Sequence, residues 1–203
     1  MEQSIIDGYA EDADFLIASF EAISSSDVLS CVTEFIPRSP CQIIEIGSGT
    51  GRDAAWLAAK GHRVLAVEPV SLFLEAGREL HQSPHIKWLN DSLPSLSRVI
   101  QRNEKYDLAL LVSVWQHVPK EEKFESLKNI RFLVRRSGML IISIRNGPGS
   151  SKRECYPTSV QETVNIARQC GFRFIASREA QSVQKSNQRA KVTWSWLVFT
   201  LNP

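Results

Sequence analysis

The chain has 203 residues, of which 43% are hydrophobic and 23% are charged, and its formal net charge is +2. This length and composition are typical of one globular domain with a sizeable core. The small net charge gives no clear nucleic-acid signature, and no run of about 18 apolar residues predicts a membrane helix.

The predicted elements begin with two helical stretches, because apolar residues recur at helical spacing over 15–23 and 28–36. Pro37 ends the second stretch. From there strands and helices alternate with short connections. In chain order the predicted elements are a strand at 42–46, a helix at 52–60, a strand at 63–67, a helix at 72–80, a strand at 85–89, a helix at 95–101, a strand at 106–113, a helix at 120–135, a strand at 139–144, a helix from 159 to Gly171, and strands at 172–177 and 192–201.

The last two strands have only a polar segment, 181–191, between them, so we expect them to pair as an antiparallel hairpin. The strand core at 108–112 is continuously apolar, as in strands that helices bury on both faces. The predicted fold is therefore α/β: a doubly wound, mostly parallel seven-stranded sheet with a C-terminal antiparallel hairpin and helices on both faces.

The first parallel strand runs into a glycine loop, Gly47-Ser48-Gly49-Thr50-Gly51. Glycines at alternate positions let the backbone turn sharply and approach a ligand closely. The helix that follows points its N-terminal N–H groups at the same crevice. In a doubly wound sheet this crevice is where ligands bind.

Two acidic residues accompany the loop. Glu68 ends the second strand, where a carboxylate accepts hydrogen bonds from ribose hydroxyls; taken alone, it would be read as a solvated strand-end acid. Glu45 precedes Gly47 by two positions, where it would repel a pyrophosphate but suits an ammonium group. The G-x-G-x-G spacing also differs from the dinucleotide fingerprint G-x-G-x-x-G. The pattern indicates a nucleoside joined to a cationic amino acid.

The segment from Ile43 to Asp53 resembles the first motif of class I S-adenosylmethionine-dependent methyltransferases, and Val64 to Pro69 resembles their second-strand motif. Similar matches follow in the family's order, at Asn90-Asp91-Ser92, Tyr106 to Ser113 and Leu133 to Arg145. The resemblance covers about residues 40–201. It implies a small bacterial-type methyltransferase with one domain over 1–203, made of an N-terminal helical lid or cap over 1–38 and a Rossmann-like core over 40–203.

The resemblance also implies S-adenosylmethionine as cofactor, S-adenosylhomocysteine as product, and no metal. The cysteines and histidines have no ligand-like spacing, in agreement with that expectation. The implied cofactor-binding residues are Glu45, Gly47, Ser48, Gly49 and Gly51 at the methionine end, Glu68 and Pro69 at the ribose, Asp91 and Ser92 at the adenine, and Ser113 at the end of the fourth strand.

Methyl transfer from a sulfonium is an in-line displacement, so the protein mainly supplies proximity and orientation. The acceptor is expected beside the end of the fourth strand. His117 is the predicted catalytic base, because histidine titrates near neutral pH; a histidine bonded to backbone under the loop is the alternative. Gln116 and Trp115 are candidate acceptor contacts, although a core position is the competing interpretation for Trp115.

Further candidate substrate residues follow the fifth strand, where loops line the acceptor pocket in similar enzymes. Arg145 and Arg153 can bind a carboxylate or phosphate bidentately, or else lie exposed in the loop, and Tyr156 lies nearby. Tyr9 resembles the lid tyrosine of small-molecule relatives, where a lid excludes water. A plain surface tyrosine is the alternative.

The predicted function is methyl transfer to an O, N or S atom of a small-molecule acceptor, by a monomer or homodimer. An RNA or protein methyltransferase is the second interpretation, and a non-catalytic S-adenosylmethionine-binding subunit is the third. An NAD-dependent oxidoreductase is disfavoured by Glu45 and the glycine spacing. A cytoplasmic location is expected because the N-terminus lacks the basic start and apolar run of a signal peptide.

Overall fold

The computed structural model describes residues 1–150 and 152–202. Its centre is a seven-stranded sheet in the order β3-β2-β1-β4-β5-β7-β6. Strand β7 runs antiparallel to both β5 and β6, and the pairs among β1 to β5 are parallel. The strands are β1 (Gln42–Ile46), β2 (Arg63–Val67), β3 (Ile86–Leu89), β4 (Tyr106–Leu111), β5 (Val134–Asn146), β6 (Phe172–Gln181) and β7 (Thr193–Leu201). The predicted sheet and its terminal hairpin are confirmed.

Helices connect the strands and cover the sheet. The α-helices are α1 (Gln3–Ala10), α2 (Ala13–Glu21), α3 (Ser25–Val28), α4 (Arg52–Ala59), α5 (Ser71–Leu80), α6 (Ser97–Gln101), α7 (Lys123–Leu133), α8 (Val160–Gln169) and α9 (Lys185–Arg189). Shorter 3₁₀ helices span Ser30–Phe35, Trp115–His117 and Lys120–Glu122. Within the described ranges, no helix has the length and apolar character needed to cross a bilayer.

The core lies on both faces of the sheet, because successive strand side chains point to opposite sides. Leu108 and Leu110 of β4 pack in one buried cluster with Leu57 of α4. Ala109 and Leu111 pack in the other, with buried side chains of α6, α7 and α8. Burial on both faces explains why β4 is continuously apolar.

Three local differences from the predicted elements have physical causes. The expected helix over 120–135 ends at Leu133, because Val134 already pairs with Tyr106 as the start of β5. The segment 181–191 holds the short helix α9 rather than only a loop. Helix α1, which carries Tyr9, lies ahead of the first predicted helical stretch, because its eight residues include only four apolar or aromatic ones.

Candidate functional site

A cavity of about 640 Å³ opens at the carboxyl ends of β1, β2, β4 and β5. Ligand sites in proteins commonly have volumes of roughly 300–1,000 Å³. Helices α1 and α2 and the segment from β6 to β7 contribute further walls. The predicted site residues that line the cavity are Tyr9, Glu45, Gly47, Ser48, Gly49, Glu68, Pro69, Ser113, Gln116, His117, Arg145 and Arg153.

The glycine loop forms one wall between β1 and α4. Gly49 has a φ of +56°, and a Cβ built on it would lie 3.6 Å from the ring of Phe20. Gly51 has a φ of +77°, and its Cβ would lie 2.2 Å from the Trp88 ring. Gly49 therefore contributes backbone to the cavity, whereas Gly51 permits packing against Trp88 and does not itself line the cavity.

Glu68 follows β2 and is 5% exposed. Its Oε2 accepts a hydrogen bond from the Gly49 N–H at 2.8 Å, and its Oε1 accepts one from the Val70 N–H at 2.9 Å. Burial raises the pKa of Glu68 to about 7, although both backbone bonds act in the opposite direction. The carboxylate thus joins the glycine loop to the end of β2 and keeps further lone pairs for a ligand.

Glu45, the next-to-last residue of β1, is 2% exposed, and its Oε2 has no hydrogen-bond partner. Burial, followed by the charge of nearby Asp53, raises the pKa of Glu45. The Arg52 guanidinium does not neutralise Glu45 through a direct bond, because its Nε and Nη2 both pair with the Asp53 carboxylate at 2.8 Å. A buried carboxylate oxygen without a partner is costly unless a ligand satisfies it.

His117 lies in the 3₁₀ helix after β4, is 4% exposed, and uses both ring nitrogens. Its Nδ1 is 2.6 Å from the Glu154 carbonyl oxygen, and its Nε2 is 2.8 Å from the Tyr9 hydroxyl. Because a carbonyl only accepts, Nδ1 carries the proton and Nε2 accepts from Tyr9. Burial lowers the pKa of His117. The imidazole is therefore held neutral, with its basic nitrogen on the side of Tyr9.

Two arginines line the cavity near this pair. Arg153 donates to the Asp12 carboxylate at 2.8 Å, and its guanidinium carbon lies 4.9 Å from the centre of the Tyr9 ring. Arg145 instead donates to the Pro148 carbonyl at 2.9 and 2.7 Å, and burial lowers its pKa. Both arginines are thus half-buried rather than free in solvent.

Polar groups of the β4 loop also face the cavity. Ser113 has a φ of +60°, and its N–H donates to the Ser143 hydroxyl at 2.7 Å. Gln116 donates to the Ser113 carbonyl at 2.6 Å, and its buried Oε1 has no partner. The hydroxyl of Ser48 in the glycine loop is likewise buried without a partner. These orphaned atoms are further positions where a polar ligand would be satisfied.

Several predicted residues lie elsewhere. Both carboxylate oxygens of Asp91 accept backbone N–H bonds, from Ser92 at 2.8 Å and Val99 at 3.0 Å. Asp91 and Ser92 line a neighbouring depression that meets the main cavity at Pro69 and Val70.

Trp115 and Tyr156 also lie outside the cavity lining. Trp115 is fully buried and donates to the Thr163 hydroxyl at 3.0 Å, which is the core position that competed with an acceptor contact in the sequence interpretation. Tyr156 donates to the Glu2 carboxylate at 2.6 Å. It therefore fastens the segment after β5 to the start of the chain.

The N-terminal helices supply cavity residues that sequence reasoning missed. The ring of Phe20 lies near Gly49, and Glu21 accepts a hydrogen bond from the Thr50 hydroxyl at 2.5 Å. Arg52 donates to the Phe20 carbonyl at 3.3 Å. Helix α2 is thus bonded directly to the glycine loop. Nothing in the sequence pairs Glu21 with Thr50.

Strand β7 contributes a second missed group. Trp194 and Trp196 line the cavity, and their spacing of two residues places them on one face of the strand. That alternation was available in the sequence, but nothing there indicated that this face meets the end of β4. Asn187, in α9, lines the cavity as well.

Comparisons with known proteins agree with this geometry. The family described as "Methyltransferase domain" matches residues 43–138, which include the glycine loop and Glu68. A ubiquinone biosynthesis O-methyltransferase from Rickettsia felis is 28% identical over 108 residues, covering 53% of this chain and 43% of the relative. The chain therefore spans less than half of the length of that curated relative.

Solved structures are similar over most of the chain. A TehB-like SAM-dependent methyltransferase from Corynebacterium glutamicum has a TM-score of 0.63 at 18% identity, with 95% of this chain and 96% of that one covered. The 1,6-didemethyltoxoflavin-N1-methyltransferase of Burkholderia thailandensis, solved with 1,6-didemethyltoxoflavin and S-adenosylhomocysteine, has a TM-score of 0.70 at 17% identity, with coverage of 100% and 92%. The sheet order and the match of residues 43–138 to a methyltransferase domain together show that the chain has the fold of class I S-adenosylmethionine-dependent methyltransferases.

Proposed function

We propose that this protein transfers a methyl group from S-adenosylmethionine to an O, N or S atom of a small-molecule acceptor. One observation carries the proposal. The cavity wall combines a glycine loop with two buried carboxylates, Glu45 and Glu68, and an oxygen of Glu45 has no protein partner. A cationic amino acid linked to a nucleoside would satisfy both acids at once.

The residues present fit this cofactor at three places. Glu45, Gly47, Ser48 and Gly49 would hold the methionine end, where the orphaned oxygen of Glu45 and the hydroxyl of Ser48 accept or donate hydrogen bonds. Glu68 and Pro69 would hold the ribose. The adenine would extend past Pro69 and Val70 toward the depression lined by Asp91 and Ser92. Asp91 would act there indirectly, by holding the loop after β3 through its bonds to the N–H groups of Ser92 and Val99. Ser113 would face the cofactor from β4.

When bound, the cofactor supplies a methyl group on a sulfonium, and the electron pair of the breaking S–C bond stays on sulfur. The chain has to hold the acceptor atom in line with that bond and keep water out. Positioning of this kind contributes roughly 7–11 kcal/mol to lowering a barrier. This reaction therefore needs neither a covalent nucleophile nor a metal ion from the protein.

His117 and Tyr9 would handle the acceptor's proton. Nε2 of His117 is unprotonated and accepts from the Tyr9 hydroxyl. An acceptor hydroxyl or amine next to Tyr9 can pass its proton to the phenol oxygen while the phenol proton moves to Nε2. The Glu154 carbonyl stabilises the resulting imidazolium through Nδ1–H.

We further propose that residues 1–38 act as a lid on this site. Tyr9 and Phe20 contribute to the cavity, and α2 is bonded to the glycine loop through Glu21 and Thr50. Ligand exchange would then require these helices to move, as lids do in many enzymes.

A small-molecule acceptor has support from size and from relatives. The cavity of about 640 Å³ has the volume of a small-molecule site, and residues of α1 and α2 form part of its wall. The Rickettsia relative is described as a ubiquinone biosynthesis O-methyltransferase, and the Burkholderia structure contains 1,6-didemethyltoxoflavin. Those acceptors belong to those proteins; for this chain the acceptor atom is left as O, N or S.

Two measurements test the proposal. Calorimetric titration should detect binding of S-adenosylmethionine and S-adenosylhomocysteine and no binding of NAD(H). Radiolabelled methyl groups should then appear in a small-molecule extract rather than in RNA or protein fractions. Binding of NAD(H) alone would overturn the proposal in favour of an oxidoreductase. Cofactor binding with label entering RNA or protein would overturn the acceptor class, and cofactor binding with no transfer would favour a non-catalytic subunit.

A further inference from the structure

Charges on the cavity wall are distributed unevenly. At the glycine loop the buried groups are acidic, with Glu45 and Glu68 facing the cavity and Arg52 already paired with Asp53. At the carboxyl end of β5, across β4 from the glycine loop, the charged groups on the wall are the half-buried guanidinium groups of Arg145 and Arg153.

Only one of these two arginines has a protein counterion. Arg153 forms an ion pair with Asp12 at 2.8 Å. Among the described residues, no carboxylate lies within 4.0 Å of the Arg145 guanidinium. The acids Asp27 and Glu179 also line the cavity, but both are exposed to solvent.

The Arg145 guanidinium is held in place by neutral groups. Nε and Nη2 donate to the Pro148 carbonyl, and Nη2 also donates to Asn187 Oδ1 at 3.0 Å. Its carbon lies 5.6 Å from the centre of the Trp194 ring. Nη1 makes no hydrogen bond to any described residue. A half-buried cation with a fixed orientation and unused N–H groups is suited to receive an oxyanion.

We propose that the acceptor of the methyl group is an anion whose carboxylate or phosphate binds Arg145, with its apolar body against Trp194 and Trp196. This inference rests on the proposed function, since it names the acceptor class of the same site. The cofactor and the acceptor would then carry opposite charges. The acids at the glycine loop would attract the cationic cofactor, and Arg145 would attract the anionic acceptor. Arg145 is then a specificity-determining residue rather than a catalytic one.

The test uses small aromatic probes on protein saturated with S-adenosylhomocysteine. Benzoate and phenyl phosphate are titrated calorimetrically, with neutral benzamide as the matched uncharged probe. We expect the anions to bind and benzamide to bind more weakly. Arg145→Gln should weaken anion binding by about tenfold or more, as expected for the loss of a charge-assisted bond. Arg136→Gln, at an exposed position of β5, is the control and should bind as the wild type does.

The outcomes separate this inference from the proposed function. S-adenosylhomocysteine affinity is measured first, for wild type and Arg145→Gln alike. No affinity in the wild type refutes the cofactor assignment. Three results refute only the anionic acceptor when the cofactor affinity is intact. These are no binding of the anions, binding equal to that of benzamide, and anion binding that is unchanged in Arg145→Gln. If Arg145→Gln does not fold, Arg145→Lys and Asn187→Ala replace it. The inference is refuted if both of these variants keep the wild-type affinity for the anions.

The ratio of benzoate to phenyl phosphate affinity then distinguishes the two oxyanions. Tighter binding of phenyl phosphate by the wild type, abolished in Arg145→Gln, identifies a phosphate-bearing acceptor. Tighter binding of benzoate with the same dependence identifies a carboxylate-bearing one. Either result supports the inference.

Discussion

The Tyr9 hydroxyl lies 2.8 Å from Nε2 of His117, although 108 positions separate the two residues in the chain. The bond connects a helix at the start of the chain with the loop after the central strand β4. The histidine tautomer is fixed by the contact of Nδ1 with the Glu154 carbonyl, which leaves Nε2 to accept from Tyr9. A neutral imidazole and a phenol therefore face the cavity as one proton-accepting unit.

Substituting this pair should lower turnover without affecting the cofactor. We expect His117→Ala to reduce kcat by about 10²–10⁴-fold, the usual contribution of a general base. Tyr9→Phe, which removes only the hydroxyl, should act in the same direction. The affinity for S-adenosylhomocysteine should stay near that of the wild type. His85→Ala, at an exposed position, is the control. Equal losses of turnover and affinity in His117→Ala would instead indicate a structural histidine.

Cofactor affinity should depend on the ionisation of Glu68. Burial raises the pKa of Glu68 to about 7, and ribose hydroxyls bind its ionised form better. Glu68→Ala should weaken S-adenosylhomocysteine binding by around 1–3 kcal/mol through the loss of charge-assisted bonds. The ratio of wild-type to Glu68→Gln affinity should rise as the pH increases through about 7, and this ratio cancels titration of the ligand. Calorimetry with exposed Glu75→Ala as control checks both effects, and unchanged affinity in Glu68→Ala would argue against this site.

Glu45 should lower the free energy of unfolding at neutral pH while it strengthens cofactor binding. Its pKa is raised by burial, so the folded state retains a proton that the unfolded state releases near pH 4.3. The free energy of unfolding therefore falls as the pH rises above that value. Glu45→Gln lacks this loss, so its stability advantage over the wild type should grow between about pH 5 and about pH 8.

Urea unfolding of both proteins at these pH values measures that difference. The same substitution should weaken binding of S-adenosylmethionine, whose ammonium group loses its carboxylate partner. A Glu45→Gln variant that binds as tightly as the wild type would assign Glu45 a purely structural role.

Two glycines of the loop should respond differently to alanine. In Gly51→Ala the new Cβ would lie 2.2 Å from the Trp88 ring, so overpacking should cost about 1–3 kcal/mol of stability in addition to the cost of the left-handed backbone that both glycines share. In Gly49→Ala the nearest contact is the Phe20 ring at 3.6 Å, and the left-handed backbone alone should cost about 1–2 kcal/mol. Gly49→Ala should nevertheless lose more cofactor affinity, since Gly49 lines the cavity. Thermal unfolding and calorimetry compare the two, and the reverse order of affinity losses would contradict the assignment.

The sheet could be predicted from the sequence because its signals are local. Residues 108–111 of β4 are all apolar, and the glycine loop follows β1 directly, so each element can be recognised from a few neighbouring residues. The position of the cavity at the carboxyl ends of the parallel strands then follows from the doubly wound topology. The position of Glu68 beside the loop follows for the same reason, since it comes directly after β2.

What the sequence could not predict depends on contacts between distant residues. Asp91 sits at the expected position after β3, but its oxygens are occupied by the backbone N–H groups of Ser92 and Val99. Trp115 follows β4 like His117, yet it turns into the core toward Thr163. Position after a strand identifies the end of the sheet, but the rotation of each side chain is decided by its packing.

The bonds between α2 and the glycine loop have a kinetic consequence. If residues 1–38 act as the proposed lid, the bonds from Thr50 to Glu21 and from Arg52 to the Phe20 carbonyl have to break before a bound nucleoside can leave past α2. The rate of product release would therefore be limited by the movement of the first helices and would not depend on the rate of the chemical step. Changes in those helices, remote from the reacting atoms, would then set how often the enzyme can begin again.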